Sequence, residues 1–82
     1  MNNTERRMAD LILGKLRVWD PLLCYDDLDR PIIEIELDSL DALELTHLLE
    51  REFKVKADLE TTSSSAFLRD YITYFTSLVN SA

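Results

Sequence analysis

At 82 residues, with 46% apolar and 30% charged side chains, the chain has the size and composition of one small folded domain. It can bury about 60% of the surface its unfolded form exposes, and it has no room for a second core. One glycine and two prolines leave few tight-turn positions for a many-stranded β architecture, so helices are favoured. The net charge of −7 is unevenly placed, because residues 20–52 hold eleven Asp and Glu against Arg30 and Arg51. Such a field repels nucleic-acid phosphates and anionic lipid, and it attracts basic protein surfaces.

Thr4 followed by Glu5 reads as a helix start, with Met1 to Asn3 frayed before it. The helix then runs to about Arg17 on a stripe of Met8, Leu11, Ile12 and Leu16, with Trp19 at its far end. Gly14 in this helix costs up to about 1 kcal/mol against alanine, which suggests that a neighbouring helix approaches there. From Asp20 to Leu37 the helical period is lost. Pro21, Pro31 and the run Asp26-Asp27-Leu28-Asp29 mark a long ordered loop, anchored by Leu22, Leu23, Leu28, Ile32, Ile33, Ile35 and Leu37. The alternation Ile33-Glu34-Ile35-Glu36-Leu37 also fits a short strand, but no second strand is available to pair with it, and an extended anchored segment is preferred.

A second helix is predicted from about Ser39 to Phe53. Either Asp38 or Ser39 can cap it, and Asp41 suits the positive end of its dipole. Leu45, Leu48, Leu49 and Phe53 form one apolar stripe, and Leu40, Leu43 and His47 a neighbouring one. Apolar cover this wide, together with Asp41, Glu44, Glu50 and Arg51, points to a face offered to a partner. After Lys54-Val55-Lys56-Ala57-Asp58, Leu59-Glu60 suggests a short turn. The polar run Thr61-Thr62-Ser63-Ser64-Ser65 reads as loop, and one of its serines is expected to cap a last helix over about Ala66 to Leu78. Leu68, Tyr71, Ile72, Phe75 and Val79 line one face of that helix, and residues 80–82 are expected to be loose. The layout predicts an all-α bundle of three to four helices in a single domain over 1–82, with a long loop between the first two.

Asp38-Ser39-Leu40-Asp41, running through Leu43-Glu44-Leu45 to Glu50-Arg51-Glu52-Phe53, resembles the carrier motif and second helix of acyl carrier proteins. The resemblance extends over the order of parts along nearly the whole chain, including Asp70-Tyr71-Ile72 in the final helix. It implies that Ser39, flanked by Asp38 and Leu40, takes a covalent 4'-phosphopantetheine arm from coenzyme A through a phosphopantetheinyl transferase. Acyl groups ride on such an arm as thioesters, for partner enzymes of fatty-acid, polyketide or related biosynthesis. It further implies that the chain is a carrier and not an enzyme. By the same resemblance Asp41, Leu43, Glu44, His47, Glu50 and Arg51 belong to the docking face. His47 stands where fatty-acid carriers have an apolar residue and Arg51 where they have an acid. Glu36 replaces a glycine, and the segment after Phe53 is short, so the family's third helix is expected to be reduced to about one turn. These departures suggest a specialised carrier.

Plainer readings accompany each of these residues. Ser39 can be a simple helix cap, and His47 a surface histidine, since no second His or Cys stands at ligand spacing and no metal site is expected. Cys24, beside Leu23, reads as a buried inert thiol. Tyr71, Tyr74 and Phe75 read as core packing. The rival to a carrier is an unmodified acidic helical adaptor. With one cysteine, no apolar run of membrane-spanning length and no secretion-signal layout, the sequence reads as a cytoplasmic monomer.

Overall fold

The structure, a computed structural model, describes residues 1–18, 20–35 and 37–81, so the readings that fall on Trp19, Glu36 and Ala82 lie outside it. Three long helices carry the fold: α1 (Asn3–Leu16), α3 (Ser39–Phe53) and α5 (Leu68–Ser81). The short helices α2 (Ile32–Ile35) and α4 (Leu59–Ser63) and a 3-10 helix at Tyr25–Asp29 lie between them. Among the described residues no strand forms, and a lone bridge pairs Pro31 with Phe67. This is the expected small all-α bundle.

Helix α1 begins earlier than Thr4. The Asn2 side chain accepts from the Glu5 N–H at 2.8 Å while the Glu5 carboxylate accepts from the Asn2 N–H at 3.1 Å, so two backbone donors of the first turn are satisfied reciprocally. Asn2 and Asn3, expected to fray, are thereby held. The buried stripe is also wider than the sequence suggested: Met8, Ala9, Ile12, Leu13 and Leu16 are all buried, and Leu11 packs at the margin. Gly14 faces outward, with nothing within 4 Å of where a Cβ would stand. Among the described residues no helix approaches it closely, contrary to the expectation.

The stretch 20–37 departs most from the sequence reading. In place of a plain loop, it folds into the 3-10 helix and α2. Asp27 accepts from the Cys24 N–H at 2.9 Å and so starts the 3-10 helix, which buries Leu28. Strand-like alternation would place Ile33, Ile35 and Leu37 on one face. In the helical turn the pair three apart, Ile32 and Ile35, turns inward against the core while Ile33 is left 86% exposed. Leu22, also expected as an anchor, is exposed, and so is Cys24, which corrects the buried-thiol reading. The loop is fastened to the chain just before α5 by the Ile32 N–H donating to the Ala66 carbonyl at 2.8 Å, and to the first turn of α5 by Arg69 Nη2 donating to Asp29 at 3.1 Å.

Helix α3 has the bounds expected of it, and it ends at Lys54, whose φ of 55° places it in the left-handed region. Helix α4 takes in Thr61, Thr62 and Ser63, which the sequence suggested were loop. The start of α5 is fixed by an aspartate and not by a serine: Asp70 Oδ2 accepts from the N–H groups of Ala66 and Phe67, each at 3.0 Å. Its end extends through Asn80 to Ser81, two residues expected to be loose.

One core joins these parts. Helix α1 packs on α5, on α3 and on the 3-10 helix, which in turn packs on α5. Leu45 and Leu49 of α3 and Leu68, Tyr71, Ile72 and Phe75 of α5 complete the core. The Tyr74 ring stands edge-on to Phe75 at 5.6 Å, and its hydroxyl accepts from the Asp58 N–H at 2.8 Å.

Candidate functional site

The first turn of α3 settles which residue caps it. Asp38 Oδ1 accepts from the Asp41 N–H at 2.8 Å, with Asp38 itself extended at φ −84° and ψ 175°. Asp38 is therefore the cap, and Ser39 is the first helical residue. Its side chain is exposed, and its hydroxyl makes no hydrogen bond among the described residues. Removal of the cap in Asp38→Ala is expected to lower stability by about 1 kcal/mol. In a domain this small the midpoint of thermal unfolding should then fall by roughly 4–8 °C, and Asp38→Asn should restore most of it.

Among the described residues no group is hydrogen-bonded to the Ser39 hydroxyl to activate it. His47 lies eight residues further along α3, about 12 Å up the helix axis, and is exposed. Among the described residues no group of three or more His, Cys, Asp or Glu could hold a metal ion. An accessible, unactivated hydroxyl suits a group that a visiting enzyme modifies better than it suits a nucleophile. Asp41 is half-buried, and that burial, reinforced by the charge of Asp38, pushes its carboxyl above the usual carboxylate range.

Beside Ser39 lies a cleft of about 540 Å³ between α3, α4, the chain near α2 and α5. Ser39, Ala42, Leu43 and Thr46 line one wall. Their spacing of i, i+3, i+4 and i+7 puts them on one helix face. Ile32 and Leu37 close the cleft on the loop side, Leu59 and Thr62 on the α4 side, and Tyr71 reaches it from α5. Sequence reading missed this cleft. The stripes read on α3 (Leu45, Leu48, Leu49 and Phe53; Leu40, Leu43 and His47) did not single out the face of Ser39, Ala42, Leu43 and Thr46, and much of the opposing wall comes from short elements that have no amphipathic period of their own.

The residues expected on the docking face fall into two groups. Leu40 (62% exposed), Leu43, His47 and Arg51 are all exposed, and Asp41 lies beside them. Glu44 is exposed too, but it is paired with Lys15 of α1 at 3.3 Å. Glu50 is half-buried, and its Oε2 accepts from the Ala57 N–H at 2.7 Å, tying the end of α3 to the connection that follows. The structure thus gives Glu50 an internal task.

The residues present fit a phosphopantetheine group. Among the described residues the exposed hydroxyl of Ser39 and the N–H groups of Ser39 and Leu40 at the helix start are unengaged, and the adjoining cleft has the volume of a small-molecule site. Comparison with known proteins gives a match over residues 6–72 to the family described as phosphopantetheine attachment site. Neither curated proteins nor solved structures gave a match. No helix of the described residues is long and apolar enough to cross a membrane.

Proposed function

Because the chain belongs to the phosphopantetheine attachment-site family, and so is an acyl-carrier-type protein with covalent 4'-phosphopantetheine, we propose that Ser39 is the attachment point. The carrying observation is a serine left exposed and unbonded at the mouth of an apolar cleft because the preceding aspartate has taken over the capping. The Ser39 oxygen would form the new phosphodiester bond with coenzyme A bound to a transferase. Its proton passes to that enzyme, and the adenosine bisphosphate half of coenzyme A leaves. Once in place, the arm supplies a terminal thiol that holds acyl groups as thioesters. The rest is positioning. Asp38 fixes the helix start, the unengaged N–H groups and helix dipole favour the phosphodiester anion, and the exposed Leu40 and Leu43 offer apolar contact to visiting enzymes.

Incubation with coenzyme A and a broad-specificity phosphopantetheinyl transferase should add one phosphopantetheinyl group to the wild-type chain by intact mass and none to Ser39→Ala. An equal gain in both proteins would overturn the assignment.

The partners fit enzymes of fatty-acid, polyketide or related biosynthesis, in a reducing compartment such as the cytoplasm, with the chain acting as a monomer. We assign it a specialised role within that group. With Glu44 paired and Glu50 turned inward, the acid displayed near Ser39 is mainly Asp38 and Asp41, and Arg51 adds a positive charge at the rim. Such a face suits a partner whose patch is less basic than one built for an all-acid helix. Arg51→Glu should raise the association rate with a basic fatty-acid enzyme by roughly threefold to tenfold at low salt, with the gain fading as salt is added. Surface plasmon resonance at two ionic strengths would test this, and an unchanged rate would place Arg51 outside the contact.

A further inference from the structure

Two contacts fix how α1 lies along α3. The Arg7 guanidinium stands 5.0 Å from the centre of the Phe53 ring, and Lys15 Nζ lies 3.3 Å from Glu44 Oε2. The two helices are therefore antiparallel, and the last turn of α1 sits beside the first half of α3, at the end of the bundle that carries Ser39. Glu44 is about 7.5 Å along the helix axis from Ser39. Its side chain is 52% exposed against 27% for Lys15, so the carboxylate faces solvent more than the ammonium that neutralises it. Exposed pairs of this kind add little to stability. Their larger effect is on the field, because a paired charge presents a dipole, whose reach is much shorter than that of a free carboxylate. Among the described residues Asp38, Asp41 and Arg51 take part in no ion pair, so on the docking face the neutralisation is confined to Glu44.

We propose that Lys15, although it belongs to α1, sets the specificity of the docking face by positioning Glu44: it holds that carboxylate in a closed ion pair and so discriminates against enzymes whose carrier-binding surface is strongly basic. This deepens the docking reading above and rests on Ser39 as the attachment point. A basic enzyme group that approaches Glu44 must compete with an ammonium tethered beside the carboxylate, and Lys15 repels that group while it does so. The partner selected is an enzyme that meets the exposed Leu40 and Leu43 through apolar contact and draws on acid only at Asp38 and Asp41, next to Ser39. Removal of the Lys15 charge returns a third carboxylate to that set. Since Lys15 touches no reacting atom and acts through Glu44, its effect belongs in KM and not in kcat.

The test follows, by intact mass, the initial rate at which a phosphopantetheinyl transferase with a basic carrier-binding surface modifies the full chain, at low and at high salt. Lys15→Gln should lower KM about threefold at low salt with kcat unchanged, and the gain should fade as salt is added. Partial unfolding cannot mimic this result, because it would raise KM. Placed on a Glu44→Gln background, Lys15→Gln should change KM little, since the carboxylate it would release is gone. Lys56→Gln removes the same charge from an exposed, unpaired position in the connection after α3 and should leave KM near that of the wild type. An unchanged KM in Lys15→Gln would overturn the proposal. So would an equal gain in Lys56→Gln, which would make total charge the cause, or an equal gain on the Glu44→Gln background, which would mean that Lys15 acts without Glu44. Absence of any mass gain in the wild type would be read before any KM, and it would remove the attachment reading together with this one.

Discussion

Phe75→Ala is expected to cost about 3–5 kcal/mol, a large part of the 5–15 kcal/mol that holds a typical domain together. Phe75 is fully buried on the core face of α5, a helix that packs on α1, and its ring packs edge-on against Tyr74. Truncation removes the ring and leaves a void that α1, α3 and α5 cannot close without losing their own contacts. The thermal midpoint should fall by roughly 20 °C, and the variant should unfold at a much lower urea concentration. A midpoint within a few degrees of the wild type would mean that the core collapses around the void far better than its packing suggests.

Glu50→Ala should be the most damaging change on α3 outside the core, at about 1.5–3 kcal/mol, because a part-buried charged acceptor is taken away from the Ala57 N–H. The consequence for docking studies is direct. An alanine scan of Asp41, Glu44, His47, Glu50 and Arg51 will show weak partner binding for Glu50→Ala, and much of that loss will come from loosening of residues 54–58. Chemical denaturation of the unliganded variant separates the two causes. Glu50→Gln, which keeps an acceptor oxygen, should recover stability, and unaltered stability in Glu50→Ala would return the residue to the docking face.

The three long helices were legible because each carries a sustained apolar stripe that tertiary contact only has to accept. The bounds of α3 could be read almost to the residue from Asp38 and Phe53. The short elements were not legible, for a physical reason. Four or five residues cannot show a period, and helices of that length form only because neighbours hold them. Ile33-Glu34-Ile35 illustrates the ambiguity: its alternation is as compatible with a strand as with a turn that hides Ile32 and Ile35, and the Ile32 link to Ala66 favours the turn. Thr61-Thr62-Ser63 looked like loop because its side chains favour caps, yet Thr62 is buried and donates to its own helix. Around Ser39, the family resemblance singled out the serine and the exposed leucines. It did not reveal that Glu44 and Glu50 have partners within the chain, since those partners, Lys15 and Ala57, lie outside the helix that carries the motif.

The packing of α1 against α5 sets a schedule for the molecule. Met8 and Thr76 touch across nearly the full length of the sequence, with Thr76 Oγ1 3.4 Å from the Met8 sulfur. The face of α1 that holds Met8 is therefore completed only when the final helix arrives, whereas α3 and the 3-10 helix cover other parts of α1 earlier. During synthesis the serine and its helix are made before α5, which brings both Phe75 for the core and Tyr71 for the cleft. In the order of synthesis Ser39 therefore precedes Tyr71, the one residue that α5 gives to the lining of the cleft.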